Sequence, residues 1–285
     1  MPFTLADIVY GFAAPAIASA VVYFALRYLL PSDAARRYAP SVALVCGFSL
    51  GYWLLPLGPW SPEVNWHWLP YVALMTLAVG PVAQAAGVSS IERGLLYLLV
   101  ALTAGWLLTP TWENLDPSRT IQVVCWTVYI VLLASLLDPI AKELTGPLLP
   151  AILTATFACG AAVLALSGNL RFAQIAGAGA GALAGITACT LVRGRTVALD
   201  GVALSYSVIL GGAMFVGRAS SYSDVPLASY ALVPLAPLLV WVGMRGPVSR
   251  LPVRSRLLVQ IGLPFVLCVV ALLMAAIAEW PGDDA

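Results

Sequence analysis

Residues 256–279 read RLLVQIGLPFVLCVVALLMAAIAE, a long uncharged stretch held between one arginine and one glutamate. A bilayer core about 30 Å thick is crossed by roughly 20 apolar residues rising about 1.5 Å each, so this stretch predicts a membrane-spanning helix bounded by its two charges. A helix is the natural solution in lipid because it pairs its backbone N–H and C=O groups within one segment.

Working outward between breaks at proline, glycine or charge, ten such runs appear: Ile8 to Leu29, Ala39 to Leu57, Trp68 to Gly87, Gly94 to Pro110, Thr120 to Asp138, Pro147 to Ser167, Phe172 to Val192, Leu199 to Gly217, Pro226 to Met244 and Arg256 to Glu279. The reading is an all-α, polytopic integral membrane protein with about ten transmembrane helices. Composition agrees: 61% of the 285 residues are apolar, 9% are charged and the mean hydropathy is +0.94. An ordinary globular chain carries about 25% charged residues, so the solvent here is lipid. A net charge of +1 offers no broad positive field to a phosphate backbone, which excludes nucleic acid as a partner.

The cysteines Cys46, Cys125, Cys159, Cys189 and Cys268 each fall inside an apolar run without CxxC spacing, so neither a disulfide framework nor a metal site is expected. Asp7 precedes the first run and no basic residue comes before Arg27, which reads as a retained first helix and not a secretory signal.

Of the 14 basic residues, all but Arg119, Arg171 and Arg218 lie on one set of alternate connections. Cytoplasmic loops retain Lys and Arg, so both termini are expected outside the cytoplasm of a cell membrane. Trp60, Trp66, Trp68, Trp112 and Trp280 gather at the opposite ends of the helices, where indole rings suit the headgroup layer.

An internal repeat adds a second constraint. Pro15-Ala16-Ile17-Ala18-Ser19-Ala20 recurs as Pro150-Ala151-Ile152-Leu153-Thr154-Ala155, and Arg37-Tyr38-Ala39 as Arg171-Phe172-Ala173. Ala43, Gly47 and Gly51 then correspond to Gly177, Gly181 and Gly185, Val72-Ala73-Leu74 to Val202-Ala203-Leu204, and Ser118-Arg119 to Ser255-Arg256. The chain divides into residues 1–145 and 146–285, two five-helix units. Five is odd, so the second unit crosses in the opposite sense, giving a five-plus-five inverted repeat. Each small-residue ladder repeats every four positions and predicts a helix face flat enough for close approach.

Three motifs bear on chemistry. Gly47-Phe48-Ser49-Leu50-Gly51 matches the G-x-S-x-G pattern of a nucleophile elbow, which requires a strand-to-helix turn; here the string lies in a helical run, and the only histidine is His67 in Trp66-His67-Trp68. No catalytic residue is assigned. Asp138, followed by Pro139, reads first as a helix-end charge near Lys142 and second as a group facing a cavity. Gly80-Pro81 and Gly211-Gly212 occupy matched positions past the repeated Val-Ala-Leu, and predict helices interrupted near mid-membrane around a solute site. Gln84 and Tyr206 would supply its hydrogen bonds, so the expected substrate-binding residues are Gly80, Pro81, Gln84, Tyr206, Gly211 and Gly212.

These readings predict a membrane transporter moving a small neutral or anionic solute by alternating access, with no cofactor and no metal. The organisation resembles permease families built as five plus five helices, the drug and metabolite exporters among them, although those place both termini in the cytoplasm. The alternatives are a structural or assembly subunit of a membrane complex, a lipid scramblase and an intramembrane serine hydrolase. Expected partners are the bilayer and the solute, with a homo-oligomer or a membrane partner also open.

Overall fold

The computed structural model describes residues 5–29, 33–59, 61–85, 87–113, 115–193 and 199–279; Trp60, Arg195, Trp280, Asp283 and Asp284 lie outside them. The protein is 83% helical, with no strand among the described residues. Ten helices follow in order: α1 Leu5–Leu29, α2 Asp33–Leu54, α3 Leu69–Ala83, α4 Ser90–Leu108, α5 Arg119–Glu143, α6 Leu148–Leu166, α7 Leu170–Arg193, α8 Val202–Ala219, α9 Leu227–Met244 and α10 Val253–Ala278. All but α2 and α3, eight among the described residues, are long and apolar enough to cross a membrane. Of the other two, α2 carries Asp33, Arg36 and Arg37 in its first turns, and α3 has 15 residues.

The core is α8. Of the residues in its apolar stretch 83% are buried, against 22% in α1 and in α10. The outer helices turn aliphatic side chains such as Leu99, Leu102, Leu132, Leu258 and Ile277 outward, the pattern expected where lipid meets the surface.

Both predicted small-residue ladders sit where backbones approach. A Cβ on Gly47 would come within 2.8 Å of the Pro15 carbonyl and 2.9 Å of Ala182 Cβ, and one on Gly51 within 2.7 Å of Ala178 Cβ. On α7, a Cβ at Gly181 or Gly185 would strike the backbone carbonyl of Phe12 or Ala16. The α2 ladder thus closes on Ala178 and Ala182 of α7 and on α1, while the α7 ladder closes on α1, which lies across both.

Proline disturbs α9 as its sequence suggests: the chain passes through a 3₁₀ turn at Ala236–Leu239, just after Pro234. Tyr129 of α5 donates to the Ala231 carbonyl at 2.8 Å, and Tyr206 of α8 to the Pro234 carbonyl at 3.2 Å. Neighbouring hydroxyls thus serve carbonyls in the stretch of helix that proline disturbs.

The expected interruptions in α3 and α8 are absent. Both helices run continuously through Gly80-Pro81 and Gly211-Gly212. Pro81 stands in the last turn of α3, which ends at Ala83 and not at Gly87; Gly87 takes φ +93° in the turn beyond. Gly211 and Gly212 are filled by the Ile130, Leu69 and Leu108 side chains, so these glycines admit neighbours and do not unwind the helix.

Candidate functional site

Helices α3 and α8 run antiparallel in contact. Gly80 lies over Gly201, Thr76 over Ser205, and the gap at Gly212 holds the Leu69 side chain. Midway along this crossing is a string of fully buried hydroxyls. Thr76 Oγ1 pairs with Ser205 Oγ at 2.7 Å, and Ser205 Oγ with Ser41 Oγ of α2 at 3.2 Å. Thr76 also donates to the Ala73 carbonyl at 2.6 Å. Each hydroxyl has one proton; Thr76 gives its own to that carbonyl, so Ser205 donates to Thr76, and Ser41 has Ser205 Oγ at 3.2 Å and the Gly201 carbonyl at 3.4 Å as its acceptors.

One end of the seam carries charge. Asp200 pairs with Arg37 at 2.6 Å, and the adjacent Leu199 N–H donates to Ala141 near the end of α5 at 3.2 Å. One turn back from Lys142 is Asp138, 3% exposed. Its carboxylate accepts from Lys142 at 2.9 Å and from Gln84 Nε2, and Arg93 lies 3.5 Å away. Gln84 Nε2 reaches Tyr97 Oη at 2.9 Å, while its Oε1 has no partner. Arg93 Nε donates to the Ala83 carbonyl at 2.9 Å, tying the start of α4 to the end of α3. Asp138, paired with Lys142 in the closing turns of α5, is also the buried hub of a cluster drawn from three helices. The cluster holds a buried carboxylate against two cations.

The sequence-predicted residues separate into three places. Gly80, Pro81 and Gln84 lie at the charged end, where Tyr38 donates to the Pro81 carbonyl at 3.1 Å. Tyr206, fully buried, has Thr156 Oγ1 at 3.0 Å as a second acceptor for the one proton it directs at the Pro234 carbonyl, and packs edge-on against Phe157. Gly211 and Gly212 sit beyond it, packed against side chains. Sequence reasoning missed Ser41, Thr76 and Ser205. Their signal is faint: single hydroxyls among the small residues that face a neighbouring helix.

The opposite end is aromatic. Trp66, 9% exposed, meets His67 edge-on at 4.1 Å and Phe172 at 5.9 Å, with the Arg171 guanidinium 4.9 Å from its ring. It is a packed core residue of this end, where an exposed headgroup anchor was expected. His67 Nδ1 accepts the Glu63 N–H at 3.1 Å and the Val64 N–H at 3.4 Å. Burial lowers its pKa, Arg171 lowers it further and Glu63 opposes. Ser49 stands inside α2 without the turn a nucleophile elbow needs, and its hydroxyl has no hydrogen-bond partner.

No family model matches the chain, and no curated protein matches it.

Proposed function

We propose that the chain is a multi-pass cell-membrane transporter for a small neutral or anionic solute, working by alternating access between two inverted five-helix repeats. The observation that carries this reading is the buried hydroxyl seam between α3 and α8, which leads to the Asp138 cluster. In this reading the seam is the solute path in its closed state, and Asp138, Arg93 and Lys142 close its charged end. An anion entering there would take the place of the Asp138 carboxylate. The arginine-rich end faces the cytoplasm on the positive-inside rule, and both termini lie outside.

Packing supports the repeat at its centre. The helices that a two-fold axis would map onto each other, α2 with α7 and α3 with α8, are antiparallel neighbours. Around them the halves differ: α1 lies along α7, whereas α6 packs on α7, α8, α9 and α10 and not along α2. Perfect two-fold symmetry would open both faces equally, so a device open to one side at a time must hold its like units in unlike packings.

The unbroken α8 and its filled glycines favour a second reading, a static assembly subunit. Labelling separates the two without knowledge of the solute. In a cysteine-free background, Thr76→Cys and Ser205→Cys are exposed in membranes to an impermeant maleimide from either face. Alternating access predicts modification from both faces. Modification from neither overturns transport and leaves the assembly subunit.

A further inference from the structure

At the tryptophan-rich end a cleft of about 310 Å³ opens among Glu63, Asn65, Trp68, Trp106, Trp112 and Arg119. We propose that this cleft binds a zwitterionic headgroup, a phosphate joined to an alkylated or primary ammonium. It combines a carboxylate, a guanidinium and three indoles.

Arg119 is held from one edge. Its guanidinium carbon lies 4.2 Å from the centre of the Trp106 ring, and Nη2 donates to the Trp106 carbonyl at 2.9 Å. Its Nε–H is buried without an acceptor, so the terminal Nη groups are what the guanidinium can offer the cleft it lines. A planar guanidinium is suited to a phosphate, whose oxygens can take two of its N–H groups in parallel. Glu63 is held through its own backbone, whose N–H donates to His67 Nδ1 at 3.1 Å. Its carboxylate and the indole faces supply what an ammonium needs, a negative charge and aromatic quadrupoles. Asn65 fixes the wall between them by donating to the Leu108 carbonyl at 2.7 Å.

Size and surroundings point to the headgroup of a lipid. The volume is at the small end for ligand sites, about 300 Å³, enough for a headgroup and too little for acyl chains. Those chains have a surface to follow. Leu102 and Leu99 on α4, and Ile121, Val124 and Val128 on α5, are exposed and lead away from the cleft down the two helices that frame it.

The test uses the purified full chain in detergent with short-chain phosphatidylcholine, short-chain phosphatidylglycerol and free phosphocholine, read as melting temperature against concentration. Saturable stabilisation by phosphatidylcholine is expected, with phosphatidylglycerol weaker. Arg119→Gln should weaken the apparent affinity about tenfold, the scale of one charge-assisted contact. Glu63→Gln, on an exposed side chain that leaves folding intact, should abolish the preference for phosphatidylcholine. Phosphocholine binding as tightly as the lipid assigns a soluble zwitterion; binding of the lipid alone assigns the membrane. Equal affinity of the native chain for the two lipids, or stabilisation without saturation, overturns the proposal.

Discussion

The two ends of this bundle hold arginine differently: carboxylates lead at one, where Arg37 and Arg245 also lie over the Tyr38 and Trp241 rings, and rings lead at the other. At one end Arg37 and Arg93 meet carboxylates: Asp200 at 2.6 Å, and Asp138 at 3.5 Å beside Lys142. At the other, Arg119 and Arg171 lie 4.2 and 4.9 Å from the centres of the Trp106 and Trp66 rings. An ion pair is satisfied only while both charges are present, whereas a ring holds a cation by its quadrupole and also packs as an apolar body. The charged end is thus organised by paired charges. The aromatic end is organised by shape and is open at its cleft.

If that contrast is right, the largest loss at the aromatic end comes from removing a ring. Trp66→Ala should cost about 3 kcal/mol, since it leaves a hole against Phe172 and His67, while Trp66→Phe should recover most of it. Thermal unfolding in detergent checks both. A Trp66→Ala loss no greater than that of Arg171→Gln would show that charge and not packing organises this end as well.

At the charged end the largest effect belongs to Asp138. Asp138→Asn keeps the shape but leaves Arg93 and Lys142 facing each other, an expected cost of about 2 kcal/mol, below the fully buried case because both cations are partly exposed. Adding Lys142→Met should recover part of that loss, since it removes one of the stranded charges. Additive losses in the double variant would break the picture of a shared cluster.

Asp200→Asn is expected to cost less, about 1 kcal/mol, because Arg37 is 46% exposed and water can replace its partner. Salt should reduce this difference, and a difference indifferent to salt would place its origin in packing.

Much of this contrast can be read in the sequence, and its gaps have a common cause. The apolar runs and the four-residue ladders are local periodic signals, and Gly47, Gly51, Gly181 and Gly185 do admit backbone at close range. That their shared neighbour is α1 could not be read, because which helix a ladder faces depends on the whole assembly. The pairing of Asp138 with Lys142 was legible, but its burial was not, for the same reason. Only when Gln84 and Arg93 arrive from α3 and α4 does its position become buried. Gly211-Gly212 gave the reverse error: paired glycines lower the cost of unwinding, but they equally admit the Ile130 and Leu69 side chains, and composition cannot choose between the two uses.

The smallest effect is one of pH, and it belongs to the aromatic end. His67 Nδ1 accepts two backbone N–H groups, so the neutral ring is the one that fits; protonation would turn that acceptor into a donor facing two donors. Burial, with Arg171 adding to it, accordingly holds the pKa below its ordinary 6.5 in the folded protein. As pH falls through 6.5 the unfolded chain takes up a proton that the folded chain refuses, so the unfolded state binds more protons and stability declines. The decline continues until the folded pKa is passed and then levels. Comparing melting temperatures at about pH 7.5 and about pH 5.5, the native chain should lose more than His67→Gln, whose side chain does not titrate. Equal losses would mean that His67 is not what makes this end acid-sensitive.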